Sequence, residues 1–338
     1  MAVTIKDVAK LAGVSPSTVS RTCKNHPSIS QQTKDRVKKA MEELGYMQNN
    51  LHTVTNIRNI GVVFPKLRND AYENPFYLEA LRGIGQYCNR KKYTMLVITG
   101  ENDAELIESI KSSQADGFIF LYSNVDDMII NYMYEEQRLF VLIGKATKMI
   151  NDTIYVDNDN VQAAKEATEY LISLGHKKIA YVGTDSHRVF SSDRKAGYLL
   201  ALSEHNLPYR EEYCLELSAE FEPEYKNLKK LLSSDERPTA ILVCDDVLAV
   251  SIEKTIRQCC LSIPQDLSII SFNNSIFARM MRLTSIDINS YQLGIEAASQ
   301  LSKHIENPEL FATKIIVPYL KEFLLQQLSN LLLLNFML

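Results

Sequence analysis

The residues that could do chemistry fall into two sets. The first lies in one ten-residue stretch: Arg21, the short hydroxyls of Ser15, Ser17, Thr18 and Ser20, and the amine of Lys24. A guanidinium fork matches the O6 and N7 acceptors of guanine. Short hydroxyls reach phosphates or base edges without holding a helix away from the duplex. The second set is spread along the chain: Asn74, Phe76, Tyr77, Asp157, Arg194, Asp245 and Asn273, most of them at or beside the end of an apolar run. Carboxylates, planar amides and a guanidinium bracket hydroxyls, and aromatic faces stack on the C–H side of a sugar ring. Taken singly, each has a plainer role: Asp and Asn form turns and caps, Phe76 and Tyr77 suit a core, and Arg194 could pair with Asp193 at a surface. Their shared placement at strand ends is what favours a site.

Catalytic constellations are missing. The six histidines are scattered, with no His-Glu-x-x-His helix, and neither a Gly-x-Ser-x-Gly elbow, a Walker loop nor a Gly-x-Gly-x-x-Gly loop occurs. Asp245 and Asp246 could be imagined as a carboxylate pair, but adjacent residues at a helix start point apart. The six cysteines show no metal-ligand spacing and read as buried small hydrophobes in a reducing compartment. No enzyme, cofactor or metal is expected.

The first set must be positioned by helices. Ile5, Val8, Leu11 and Ala12 recur at helical spacing, Gly13 supplies a tight turn, Ser15 caps a second helix and Pro16 suits its first position. Val14, Val19 and Cys23 can pack inward while Ser17, Thr18, Ser20, Arg21 and Lys24 point out. A third helix fits from about Gln32 to Leu44, with Ser30 as cap, Val37, Ala40, Met41 and Leu44 inward, and Gly45 as its end. Two short helices joined by a Gly turn and braced by a third make a helix-turn-helix. Charge agrees: residues 1–50 hold eight Lys/Arg against four Asp/Glu, and the remaining 288 hold 29 against 37. A cationic head on an anionic body suits a duplex-binding module on a separate sensor.

The second set must be positioned by a sheet. From residue 60, apolar runs (60–64, 93–99, 116–122, 139–144, 178–183, 240–244, 267–272) alternate with amphipathic stretches (76–90, 103–113, 158–174, 193–206, 223–233, 246–260). Continuous apolar strands separated by helices predict parallel sheets covered on both faces, a doubly wound α/β architecture. There are too many strands for one sheet, and a break at Val156–Asp157–Asn158 divides them into two lobes with a cleft at the carboxyl ends of the strands. The 338 residues predict two to three domains, and the absence of a charged-then-apolar leader predicts the cytoplasm.

VTIKDVAKLAGVSPSTVSR, the Ser-capped third helix and the Gly45–Tyr46 pair resemble the head of the LacI/GalR family of transcriptional regulators, nearly position by position from Val3 to Tyr46. The resemblance implies that Pro16 and Ser17 occupy variable operator-reading positions and that Arg21 reads guanine. Thr4, Ser20 and Lys24 would hold phosphates. Residues 47–59 would be a hinge that folds on DNA, where paired hinges wedge a leucine into the minor groove. This hinge departs from the family: Asn49 is kept, but Gln48 stands where proline is usual, His52, Thr53 and Thr55 replace alanine, arginine and leucine, and about three residues are missing. Leu51 is the leucine left to act as wedge.

Residues 60–318 would form an effector-binding and dimerisation domain like periplasmic sugar-binding proteins, with crossings near 157–160, 284–290 and 314–318. Lobe one would comprise about 60–157 and 288–314, and lobe two about 160–285 and from 316. By the same resemblance Asn74, Phe76 and Tyr77 form the pocket rim, Asp157 is the crossing aspartate and Arg194 grips the sugar. Asp245 and Asn273 stand where the family writes Asn and Asp. NPFY, DGFIFLY, IGK, YVDNDN, DRKAGY and SIDINSYQLG look most like maltose/maltodextrin operon repressors.

Residues 319–338 depart from the family. The leucines of this tail are too few and too interrupted to span a bilayer. Leu324, Leu331 and Leu338 keep a seven-residue spacing over only two heptads, so a degenerate end is favoured over a tetramerising one. The expected protein is a homodimeric sugar-responsive repressor of operator DNA, away from membranes. A solute-binding protein would account for 60–318 but not for the head, and a sensor whose altered hinge impairs operator binding would account for both.

Overall fold

The computed structural model describes residues 5–23, 29–44, 58–66, 74–218 and 225–322. It divides into two compact units, Met1–Ile57 and Arg58–Leu338.

The first unit holds three helices, α1 (Ile5–Ala12), α2 (Pro16–Cys23) and α3 (Gln31–Glu43). Val8, Ala9, Ala12, Val19, Val37, Ala40 and Met41 form its core, with Val14 and Leu44 packed against them. Leu11, expected on the buried face, is 46% exposed. A 100° step places residues 5, 8, 9 and 12 on one stripe, so Ala9 takes the inward place and Leu11 falls on the flank. Gly13 turns the chain at φ +65°. Ser15 Oγ accepts the Thr18 N–H at 3.1 Å and Ser30 Oγ accepts that of Thr33 at 3.3 Å, so α2 and α3 both start on serine caps.

The second unit contains two six-stranded sheets. In the first, β1 (Asn59–Val63), β2 (Thr94–Ile98), β3 (Gly117–Phe120), β4 (Phe140–Ile143), β5 (Ile154–Asp157) and β11 (Lys314–Ile316) are ordered β11-β5-β4-β3-β1-β2. In the second, β6 (Ile179–Gly183), β7 (Cys214–Glu216), β8 (Ala240–Val243), β9 (Ser268–Phe272), β10 (Thr284–Asp287) and β12 (Leu320–Glu322) are ordered β12-β10-β9-β8-β6-β7. All pairs are parallel except β10 with β12. The central strands β3, β4 and β8 are buried at every position because helices cover both faces. These helices are α4 (Pro75–Lys91), α5 (Asp103–Ser112), α6 (Met128–Glu135), α7 (Asn160–Ser173), α8 (Val189–Glu204), α9 (Tyr225–Leu232), α10 (Asp246–Gln258), α11 (Ile276–Met281) and α12 (Ser290–Glu306). This is the doubly wound architecture expected from the alternation.

Several elements lie outside the predicted runs: the short strands β5, β7, β10, β11 and β12, and helices α6, α11 and α12. Helix α8 begins at Val189, four residues before its predicted start, and Arg188 at its N-cap makes no side-chain capping bond that would have announced it. Between α7 and α8 the backbones touch. A Cβ on Gly197 would lie 2.1 Å from the Val161 carbonyl oxygen.

The chain passes from the first sheet to the second after Asp157, returns after Asp287, and passes again between Ile316 and Leu320. Asn158, buried at the first passage, ties all three. Its Nδ2 donates to Ile288 O at 3.0 Å and to Val317 O at 2.8 Å. Among the described residues no helix is long and apolar enough to cross a membrane. Gly45, hinge residues 47–57 and the leucine tail beyond Glu322 lie outside the described residues, while Asn59, expected to end the hinge, opens β1 because it pairs with Thr94 in the sheet.

Candidate functional site

One cavity in the second unit collects the carboxyl ends of strands from both sheets. Asn74 caps α4 and Phe76 and Tyr77 begin it; Tyr122 and Ser123 follow β3, and Gly144 follows β4. Asp157 ends β5, Asn160 opens α7, and Arg188, Phe190 and Arg194 come from the start of α8. Asp245 follows β8 and Asn273 follows β9. The space enclosed is about 640 Å³, counting the solvent at its mouth. All seven cleft residues singled out in the sequence line it.

A buried polar chain runs along its floor. Asn160 Nδ2 donates to Asp157 Oδ1 at 3.0 Å, and Arg194 Nε donates to Asn160 Oδ1 at 2.9 Å. Arg194 Nη1 donates to the Cys244 carbonyl. The guanidinium lies over two rings, with its central carbon 4.1 Å from the Phe272 centroid and 5.0 Å from that of Phe190. Arg194 is only 2% exposed and makes no pair with Asp193, which faces Lys145 at 3.6 Å instead. Nη2 makes no hydrogen bond among the described residues, so a donor is left for a ligand.

The plainer roles hold alongside. Asn74 Oδ1 accepts the Phe76 N–H at 3.0 Å and Asp245 Oδ1 accepts that of Leu248 at 2.8 Å, so both cap helices while lining the cavity. Tyr77 is buried, and its hydroxyl accepts Arg188 Nη1 at 3.1 Å. Asn273 has φ +103° and its N–H donates to Ile286 O at 2.8 Å, a conformation asparagine tolerates better than most residues.

Burial shapes the electrostatics. The Asp157 carboxyl is pushed up to about 7, chiefly by desolvation, although its own loop amide, Arg194 and Lys145 pull the other way. Desolvation also raises Asp245 and lowers Arg194. Asp157 and Asp245 line the cavity with Arg188 and Arg194. It offers alternating donors and acceptors beside aromatic faces, which suits a neutral polyol. Asn160, Arg188, Phe190, Tyr122 and Ser123 were not singled out in the sequence; Phe190 and Arg194, one helical turn apart, were the available signal.

In the first unit, Pro16 opens α2 and is exposed, as is Ser15. Thr18 was expected to point outward but is half-buried. Its hydroxyl bonds Ser15 Oγ at 2.9 Å, so the capping geometry draws it in. Ser17, Ser20 and Arg21 are residues of α2. Thr4, Lys24, Asn49 and Leu51 lie outside the described residues.

Comparison with known proteins divides the chain in the same order. Residues 4–49 match the family described as bacterial regulatory proteins, lacI family, and residues 168–322 match a periplasmic binding protein-like domain. The HTH-type transcriptional regulator MalR of Streptococcus pneumoniae is 37% identical over 334 residues, covering 94% of this chain and 99% of that protein. Catabolite control protein A of Priestia megaterium is 31% identical over 333 residues, covering 96% and 98%. The solved "probable maltose operon transcriptional repressor malR" of Staphylococcus aureus superposes with a TM-score of 0.72 at 27% identity, covering 81% of this chain and all of that one.

Proposed function

The chain belongs to the lacI family of bacterial regulatory proteins, and on that premise we propose that this DNA-binding transcriptional repressor is a cytoplasmic homodimer controlling a maltose/maltodextrin-utilisation operon. Two heads meet the half-sites of a palindromic operator. Helix α2 enters the major groove, Arg21 reads guanine, Pro16 and Ser17 meet the variable bases, and Thr4, Ser20 and Lys24 hold phosphates. The hinge carries Asn49 and Leu51 toward the minor groove. A saccharide in the cleft favours one arrangement of the two sheets and, by linkage, weakens operator binding.

The observation that carries the sugar assignment is the buried Asp157–Asn160–Arg194 chain beside the Phe190 and Phe272 rings. The maltose class is supported by the S. aureus structure's name and by the NPFY, YVDNDN and DRKAGY segments. The test is a titration of a maltose-operon-type palindromic duplex with and without maltose or maltotriose, at one physiological salt concentration, since phosphate contacts make affinity steeply salt-dependent. Nanomolar specific binding weakened by the sugar is expected. Weak, sequence-blind DNA binding beside a clear sugar signal would instead mean an intact sensor with an impaired hinge. Binding of neither would sink the proposal.

A further inference from the structure

The cleft has a second compartment outside it. Tyr122 and Arg188 line both spaces, and beyond them a polar cavity opens between the ends of β3 and β6, about 1830 Å³ with the solvent at its mouth. The two sheets are stitched over this threshold by an antiparallel bridge of Asn124 with Arg188. The Val125 N–H donates to His187 O at 2.9 Å and the Val189 N–H to Ser123 O at 3.3 Å.

Two polar atoms at the threshold are buried without a partner among the described residues. Tyr122 is 5% exposed, and its hydroxyl bonds nothing. Asn124 Nδ2 donates to Asp127 Oδ2 at 3.1 Å, but its Oδ1 is left unpaired. A buried hydroxyl without a partner is destabilising, so a tyrosine here in place of phenylalanine calls for a bonding partner.

The walls say what kind. Asp103, Asp126, Asp127, Asp185 and Glu216 line the outer cavity together with Lys66, His187 and Arg188. Lys66 is already committed to Asp103 at 2.6 Å, and Asp127 caps α6 through the N–H groups of Ile129 and Ile130. The excess of carboxylates repels an anion, and no group of three or more His, Cys, Asp or Glu among the described residues could hold a metal ion. Carboxylate and hydroxyl acceptors lining a polar space that adjoins the cleft suit further hydroxyl-bearing rings.

We propose that the outer cavity binds further units of a linear oligosaccharide whose first unit occupies the cleft, with Tyr122 and Arg188 as the residues that set chain-length specificity at the threshold. The inference rests on the cleft taking a saccharide. In binding, the Tyr122 hydroxyl gains a sugar partner, and Arg188 turns from Tyr77 toward the chain.

Calorimetry on the full-length protein with glucose, maltose, maltotriose and maltotetraose tests it. Affinity is expected to rise at least about tenfold between glucose and maltotriose. Tyr122→Phe should lower maltotriose affinity about five- to tenfold and glucose affinity less than twofold, the loss of one buried hydrogen bond. The thermal midpoint of Tyr122→Phe should stay at or above the parent's, because an unpaired hydroxyl is removed. Glu216→Ala alters only an exposed side chain on the cavity wall and should weaken maltotriose in the same direction. Affinities within twofold across the series, or a Tyr122→Phe variant with unchanged length dependence, would overturn the outer subsite and leave the cleft reading standing. No binding of any saccharide would overturn the cleft reading itself.

Discussion

Arg194 is held from several sides at once, by Asn160, by the Cys244 carbonyl and by the Phe190 and Phe272 rings. Lysine keeps the charge but loses the planar fork and the stacking, so Arg194→Lys should weaken saccharide binding at least about tenfold in calorimetry while the far-ultraviolet spectrum stays unchanged. Asp157 makes a pH prediction. Its carboxyl, raised to about 7, stays protonated in the folded chain between pH 4 and 7 while the unfolded chain's is ionised. Its contribution to stability therefore falls as pH rises through that window and is constant above it. Asp157→Asn cannot lose a proton, so its stability relative to the parent should improve from pH 4.5 to 7.5, by at most about 4 kcal/mol. Urea midpoints that differ by the same amount at both pH values would contradict this. The cleft residues legible in the sequence were those ending apolar runs, where the pattern itself changes. Tyr122 closes the run DGFIFLY and reads as core, and Arg188 sits among Asp185, Ser186 and His187 and reads as a solvated loop. The hydrogen bond of that half-buried arginine to Tyr77 is a tertiary fact, from a residue 111 positions away.

Among the elements, α7 and α8 matter most, because Asn160 opens the first and Arg194 rides on the second. Gly197, one turn below Arg194, lets the helices meet at the Val161 carbonyl. Gly197→Ala should push them apart, lowering stability by about 1–3 kcal/mol in thermal melts. It should also reduce saccharide affinity, since the Asn160–Arg194 bond spans the same contact. A variant that destabilises without touching affinity would show that the two helices position the pair independently. The long apolar strands were legible because central parallel strands need continuous hydrophobic runs. The short ones were not: β10 is TSID, and β11 is three residues whose ends are exposed. Helix α12 escaped notice for a related reason. Its buried face carries Leu293, Ala297, Ala298 and Leu301 at helical spacing, but Gly294, Gln300, Ser302 and His304 are buried among them and dilute the hydrophobic signal.

At the level of the whole molecule, opposite charge balances separate two kinds of recognition. The first fifty residues hold eight basic against four acidic residues, a charge suited to phosphates, whereas the cleft is lined by acidic, basic, amide and aromatic side chains. Raising salt from 50 to 200 mM should therefore weaken duplex binding about a hundredfold or more and change saccharide affinity less than twofold. Fluorescence anisotropy and calorimetry read the two separately, and equal sensitivity of both would mean the cleft takes a charged ligand. The Asn158 side chain has a mechanical consequence. Because one amide pins all three strands that join the two sheets, they share a single pivot, and sliding or pulling apart would break both of its bonds at once. Rotation about that point disturbs the two bonds least. On the proposed reading, a difference between one bound sugar and another would reach the rest of the protein as the size of an angle, so that a crowded cleft and an empty one would be two readings on the same dial.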